Sequence, residues 1–76
     1  MNKLRRKEIA AIKADLEALR ERIESVQEDE EEYRDNMPEN LQGSERYERA
    51  DDAVSSLEDA LDEIDSALES LESAAE

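Results

Sequence analysis

Apolar side chains recur every three or four residues along the first half of the chain. The series comprises Ile9, Ile12, Leu16, Leu19, Ile23, Val26, Tyr33 and Met37. With Ile9 at heptad position a, every member of the series falls at a or d. This repeat predicts an amphipathic helix over about residues 3–36.

The second half of the chain carries the same repeat without a break. Its members are Tyr47, Ala50, Val54, Leu57, Leu61, Ile64, Leu68, Leu71 and Ala75. The pattern predicts a second helix over about residues 44–75. At a rise of 1.5 Å per residue, each predicted helix is roughly 50 Å long.

The segment NMPENLQGS separates the two repeats and predicts a loop at about residues 37–43. Pro38 has no N–H to donate and disfavours a helical conformation of Met37, so the first helix should end just before it. Ser44 is a favourable N-cap for the second helix. Two helices of matched length joined by a short loop predict an all-α, antiparallel hairpin that forms one domain, residues 1–76.

The charged positions beside the apolar repeat indicate how the helices pair, because position e faces e and position g faces g in an antiparallel pair. The e row of the first helix is Lys13, Arg20, Gln27 and Arg34, and the e row of the second is Asp51, Glu58, Asp65 and Glu72. A basic row therefore meets an acidic row, which selects the antiparallel orientation more than it adds stability. A rival stays open: parallel pairing of two first helices would also match charges, for example Glu8 with Lys13.

Small residues form a further row on each helix. Position g of the second helix is Ala53, Ala60, Ala67 and Ala74, and position c of the first includes Ala11 and Ala18. Rows of alanine widen the apolar stripe and permit close approach of another helix. Because one short hairpin cannot shield so wide a stripe, two hairpins are predicted to join through this side into a homodimeric four-helix bundle.

The charge balance limits the classes of partner. The formal net charge is −14, and residues 50–76 contain ten acidic and no basic side chains. Nucleic acid and anionic membranes attract Lys/Arg patches, so a protein partner with a basic surface is expected instead. No apolar run resembles a secretory signal or a membrane span, and a soluble, cytoplasmic protein is expected.

Catalysis, metal binding and cofactor binding are not expected. The chain has no histidine and no cysteine, and no base is arranged beside its serines. Its carboxylates lie along helices and diverge, whereas a calcium loop requires converging oxygen ligands. We therefore expect a protein that is not an enzyme and holds no metal or cofactor.

Two groups of residues are candidates for partner binding. The first surrounds the loop and comprises Glu30, Tyr33, Met37, Leu41 and Tyr47, which suit either a packed cap over the hairpin end or a recognition tip. The second comprises the outward acids Asp59, Asp62, Glu63 and Glu69, which suit either a solvating coat or a surface that imitates DNA. The acids of the outer face recur about every 5 Å of helix, whereas duplex DNA carries a charge about every 1.7 Å.

At NMPENLQGSERYE, followed by the pattern A-x-x-x-L-x-x-A-L-x-x-I, the chain resembles a group of small acidic coiled-coil or helical-hairpin proteins encoded by phages and prophages of Gram-positive bacteria. The likeness covers nearly the whole chain, from the basic start through the acidic run and loop to the Ala/Leu/acid helix. The group has no assigned activity. The resemblance implies a phage-borne accessory protein, and small acidic phage proteins are often stoichiometric inhibitors of host nucleases or other defence proteins.

These features favour a non-enzymatic inhibitor that binds a basic, nucleic-acid-handling host protein through acidic faces. One alternative is a structural or assembly protein whose role is oligomerisation. Another is an inhibitor that recognises its target through the loop tip, with Met37, Leu41 and Tyr47 in contact.

Overall fold

The chain folds into two long α-helices that double back on one another. The computed structural model describes all residues, 1–76: helix α1 is Lys3–Asp35, a 3-10 turn is Glu39–Leu41 and helix α2 is Glu45–Ala74. The two helices pack against each other to form a rod of 59 × 15 × 11 Å. The predicted all-α helical hairpin is confirmed.

A side-chain cap begins each helix. The Oδ1 of Asn2 accepts the N–H of Arg5 at 2.8 Å, and the Oγ of Ser44 accepts the N–H of Tyr47 at 3.3 Å. Two glutamates in the first turn of α2 interact favourably with the positive end of the helix dipole and stabilise the helix start. The first turn of α1 has no acid. Both helix starts are therefore specified locally, although the cap at Asn2 was not among the sequence predictions.

The loop reverses the chain by a single tight turn. Pro38 is extended, with ψ at 149°, so α1 cannot continue through it. The Pro38 carbonyl accepts the N–H of Leu41 at 2.8 Å, and the Leu41 carbonyl accepts the N–H of Ser44 at 3.0 Å. These bonds satisfy the backbone of the turn and deliver Ser44 to the start of α2.

The buried core is small and belongs mainly to α2. Only Met37, Ala50, Val54 and Leu61 are buried, and no residue of α1 is among them. The a row of α1, which includes Ile9, Leu16 and Ile23, is half-buried against α2. The hairpin therefore holds one thin seam of apolar contacts.

The d row of α1 does not share that seam. Its members Ile12, Leu19, Val26 and Tyr33 are between 40 and 55% exposed. The e row of the same helix is half-buried instead. An ideal heptad pair buries both a and d, whereas here α1 is rotated to present a and e to α2 and its d row faces outward.

Candidate functional site

One side of the hairpin, the charged flank, is formed by the two e rows. Lys13 Nζ lies 3.4 Å from Glu72 Oε1, Arg20 Nε lies 2.6 Å from Asp65 Oδ1, and Arg34 Nη1 lies 2.8 Å from Asp51 Oδ1. In each pair the two residue numbers add up to 85, so a single register runs along the whole hairpin. The predicted match of a basic e row with an acidic e row is present in the structure.

The fourth member of the basic row uses a different contact. Gln27 has no charge, and its Nε2 donates to the backbone carbonyl of Val54 at 3.3 Å. Glu58, which lies opposite Gln27 in the same register, forms no ion pair. A neutral amide at this level therefore bridges side chain to backbone and keeps the helices in contact where no cation is available.

Arg20 forms the best-defined contact of the charged flank. Its Nε and Nη2 donate to the two oxygens of Asp65 at 2.6 and 3.1 Å, and its Nη1 also reaches Glu24 at 3.1 Å. The hydrogen bonds from Arg20 lower the pKa of Asp65 below its ordinary value of 3.8, although partial burial opposes the shift. The same bonds raise the pKa of Arg20. Both charges are thereby favoured in the folded hairpin.

The contribution of Asp65 to stability should disappear in acid. Because the pKa of Asp65 is lower in the folded chain than in the unfolded chain, its stabilisation is fully present above the ordinary value of 3.8 and is lost as the pH falls through the folded pKa. Asp65→Asn should therefore destabilise the hairpin at neutral pH and match the native chain in strong acid. Urea denaturation of both chains over a pH series, followed by circular dichroism, measures the difference.

Asp59→Asn is the matched control, because Asp59 lies on the same helix but takes part in no ion pair. We expect Asp59→Asn to lack the pH-dependent penalty of Asp65→Asn. Equal behaviour of the two variants at neutral pH would show that the bond from Arg20 does not stabilise the fold.

The outer face of α2 carries acidic side chains that form no ion pair. The ion pairs of the structure engage six of the 24 carboxylates, namely Glu24, Asp35, Glu45, Asp51, Asp65 and Glu72. The candidate acids Asp59, Asp62, Glu63 and Glu69 are all exposed and belong to none of these pairs. Asp62 contributes, after Asp65 and Glu24, to the raised pKa of Arg20. None of the four acids is bonded to a cation, so their charge is available to another molecule.

The loop end divides the first group of candidate residues into two sets. Met37 is buried and Tyr47 and Glu30 are half-buried, so these three side chains help to close the end of the hairpin. Tyr33 is 48% exposed and Leu41 is 36% exposed, and both line an open groove. The groove also includes two carboxylates, Asp29 and Glu32, and one cation, Arg46.

The side of the hairpin opposite the charged flank, here named the apolar flank, combines the exposed d row of α1 with the g row of α2. Leu19, Ile23 and Val26 form a shallow groove with Leu57 of α2, and Arg22 lies at its edge. Of the alanines predicted to support self-association, Ala11, Ala18, Ala67 and Ala74 are exposed, and Ala53 and Ala60 are half-buried.

Sequence reasoning identified Tyr33 but missed Arg22 and the other three members of the d row, Ile12, Leu19 and Val26, as surface residues. The residue types in the e row of α1 could have predicted this exposure of the d row. The Lys and Arg side chains of the e row have apolar stems that can cover the seam while their charged heads reach the carboxylates of α2. Such a row rotates the helix and turns the d row outward.

None of the helices combines the length and apolar character needed to cross a membrane. No group of three or more metal-ligating side chains lies together. Comparison of the chain with protein-family models, with curated proteins and with solved structures finds no match. Function must therefore be inferred from the surfaces of the hairpin itself.

Proposed function

We propose that this hairpin is a non-enzymatic protein-binding module whose acidic outer face engages a basic surface on another protein. The observation that supports the proposal is the arrangement of charge on α2. Asp65 and Glu72 form ion pairs with cations of α1, whereas Asp59, Asp62 and Glu69 on the same helix form none. The paired acids set the register of the two helices, and the unpaired acids remain for a partner.

The electrostatic field favours a basic protein over nucleic acid. A net charge of −14 repels phosphate, and four of the ten basic side chains are already engaged in ion pairs. A one-signed acidic surface accelerates association with a basic patch and discriminates against acidic competitors. The proposed partner therefore carries clustered Lys and Arg side chains.

Within this proposal, the partner is a nucleic-acid-handling or defence protein of a host cell, and the hairpin is a phage-encoded inhibitor that acts in the host cytoplasm. The resemblance at NMPENLQGSERYE supports this part of the proposal. An acid about every 5 Å of helix is sparser than the charge of duplex DNA, and a homodimer brings a second acidic face. Stoichiometric occupation of the partner's DNA or RNA site is the proposed mechanism.

The second candidate function is structural, and a different observation favours it. The exposed d row of α1 offers apolar surface for oligomerisation, as expected of an assembly or scaffold protein. In both cases the proposed unit is a homodimer, because one hairpin leaves this row uncovered. The two functions differ in whether the acidic face is needed.

Neutralising the acidic face should weaken partner binding. We expect the fourfold variant Asp59→Asn, Asp62→Asn, Glu63→Gln and Glu69→Gln to bind at least about tenfold more weakly, since several charge contacts are lost together. Native chain immobilised at low salt captures the partner from host lysate, and mass spectrometry identifies it. Calorimetric titration of the purified partner then compares native and variant chains at low and high salt.

A variant with four neutralised acids on α1, namely Glu17, Glu21, Glu28 and Glu31, is the matched control, because it changes the net charge equally. Equal weakening by both variants, or binding that ignores salt, would contradict engagement through α2. Salt-independent binding that is lost on substitution of Leu41 or Tyr47 would instead support recognition by the loop tip. A chain that oligomerises but captures no basic protein would support the structural function.

A further inference from the structure

The hairpin exposes more surface than its mass requires. Its accessible area is 5808 Å² for 8.7 kDa, whereas a folded monomer of this mass exposes about 4,700 Å². The excess of about 1,100 Å² is larger than the roughly 800 Å² that each partner buries in a standard interface. The apolar flank contributes apolar surface to this excess, because four of its large side chains are between 40 and 55% exposed.

We propose that a second copy of the chain covers the apolar flank, with α1 antiparallel to the partner's α1 around a two-fold axis beside Leu19. This inference rests on the proposed homodimer and specifies how its copies meet. The d row is symmetric about Leu19, so Leu19 meets the partner's Leu19 and Ile12 meets the partner's Val26. The same surface patch then serves both copies, as a two-fold interface requires.

The charges along the apolar flank match in this arrangement. Arg22 and Asp15, both at position g of α1, form no ion pair within the hairpin. Around an axis beside Leu19, Arg22 faces the partner's Asp15, and symmetry repeats the pair. The interface thereby gains two opposite-charge contacts from side chains that the monomer leaves unused.

The ends of α1 are also complementary. Residues 3–7 include four basic side chains, and residues 28–32 are all acidic. Antiparallel pairing places Arg5 against the partner's Tyr33, beside the carboxylates that line the groove at the loop end. The one like-charged pair, Glu8 with the partner's Asp29, lies next to Arg5 and is offset by it.

The alanine row of α2 follows the same axis. In the register set by the ion pairs, Ala67 lies within one residue of the level of Leu19. Ala67 therefore meets the partner's Ala67, and Ala60 meets the partner's Ala74. Position c on this side includes Ser56 and Ser70. The small side chains let the two α2 helices approach, while most acids of α2 point away.

Parallel pairing of two α1 helices lacks the cations that it needs. That rival uses Lys13, Arg20 and Arg34 as partners for g-row acids of the other copy. In the hairpin these three side chains are already bonded to acids of α2, at 2.6–3.4 Å. Arg22 is the remaining cation in the central part of α1, and it is satisfied only in the antiparallel arrangement.

The apolar flank also fits a second copy better than it fits a basic protein. On this flank, position g of α2 is alanine from residue 53 onward and uncharged. Position g of α1 includes both an acid, Asp15, and a base, Arg22. The acids proposed to engage a basic partner are mostly at positions b and f, on the outer face of α2. Dimerisation and partner binding therefore use different surfaces and are compatible.

The oligomeric state and the pairing direction can be measured on the full chain. Sedimentation equilibrium should give twice the 8.7 kDa of one chain. The chain has no cysteine, so a single cysteine can be introduced at a chosen position. A short bis-maleimide then cross-links two such cysteines only where the copies place them close together. Leu19→Cys should cross-link to itself. Ile12→Cys should not, but should cross-link efficiently when mixed with Val26→Cys.

Each alternative has its own signature. Self-linking of Ile12→Cys would show parallel pairing. Linking of Leu19→Cys to Ala67→Cys between copies, together with loss of Leu19→Cys self-linking, would show α1 stacked on the partner's α2. Either result would overturn the antiparallel α1 contact but not the homodimer. A native chain that is monomeric and fully helical would overturn both the antiparallel α1 contact and the homodimer. Calorimetry with the captured partner tests the acidic face separately. Leu19→Glu should abolish the dimer, whereas Ser66→Glu, on the outer face of α2, should not.

Discussion

Replacing Leu61 with alanine is expected to unfold most of the hairpin at room temperature. Leu61 is 7% exposed and is the largest aliphatic side chain buried on α2. A buried Leu→Ala change typically costs about 2–5 kcal/mol, and a core of this size rarely supplies more than about 3–5 kcal/mol in total. Alanine has a helix propensity at least equal to that of leucine, so the loss comes from packing.

Circular dichroism of the Leu61→Ala chain during urea and thermal denaturation measures this effect. Leu4→Ala is the matched control, because Leu4 is 80% exposed and the same atoms are removed. We expect Leu4→Ala to change the free energy of unfolding by less than about 0.5 kcal/mol. If Leu61→Ala unfolds at the same urea concentration as the native chain, the seam against α1 does not hold the fold.

Reversing the basic e row of α1 is expected to separate the helices. The changes Lys13→Glu, Arg20→Glu and Arg34→Glu replace three ion pairs with acid facing acid and move the net charge from −14 to −20. Like charges directly opposed along a whole edge repel, and no other cation of α1 lies on that flank between residues 13 and 34. We expect the antiparallel contact to be lost.

Paramagnetic labels near the two chain termini, at the open end of the hairpin, report the contact, since residues near 13 and 72 adjoin only in the folded-back chain. The compensating changes Asp51→Lys, Asp65→Lys and Glu72→Lys should restore it, because they re-create three opposite-charge pairs with the sign exchanged. Failure of the sixfold variant to fold back would mean that the register depends on something other than charge. Persistence of the contact in the threefold variant would mean that apolar packing alone sets the orientation.

Three surfaces of the hairpin differ in their charge and apolar content. The charged flank joins α1 to α2 and sets their register. The apolar flank is the proposed site of a second copy, and the outer acids of α2 are the proposed site of a basic protein. Because each surface lies on a different side of the rod, each can be altered separately in the experiments above.

Much of the architecture could be predicted because it depends on local chemistry. The heptad repeat predicts two helices, Pro38 and Ser44 mark the turn between them, and the e rows predict the antiparallel pairing. Each of these features depends on residue type and spacing along the chain, so no knowledge of distant atoms is needed. The burial of the candidate residues near the loop was less predictable. Met37 is buried and Tyr33 is exposed, although both continue the same apolar repeat.

The amino-acid sequence by itself determined that the chain is helical, where it turns and which edges of the helices meet, since periodicity, capping and charge matching operate residue by residue. Only the tertiary structure decided how far α1 is rotated about its own axis. Heptad positions describe an idealised pair, whereas the real angle balances burial of the d row against the reach of Lys13, Arg20 and Arg34 to their carboxylates. That balance turned Ile12, Leu19 and Val26 outward, and it created the surface on which the proposed dimer depends.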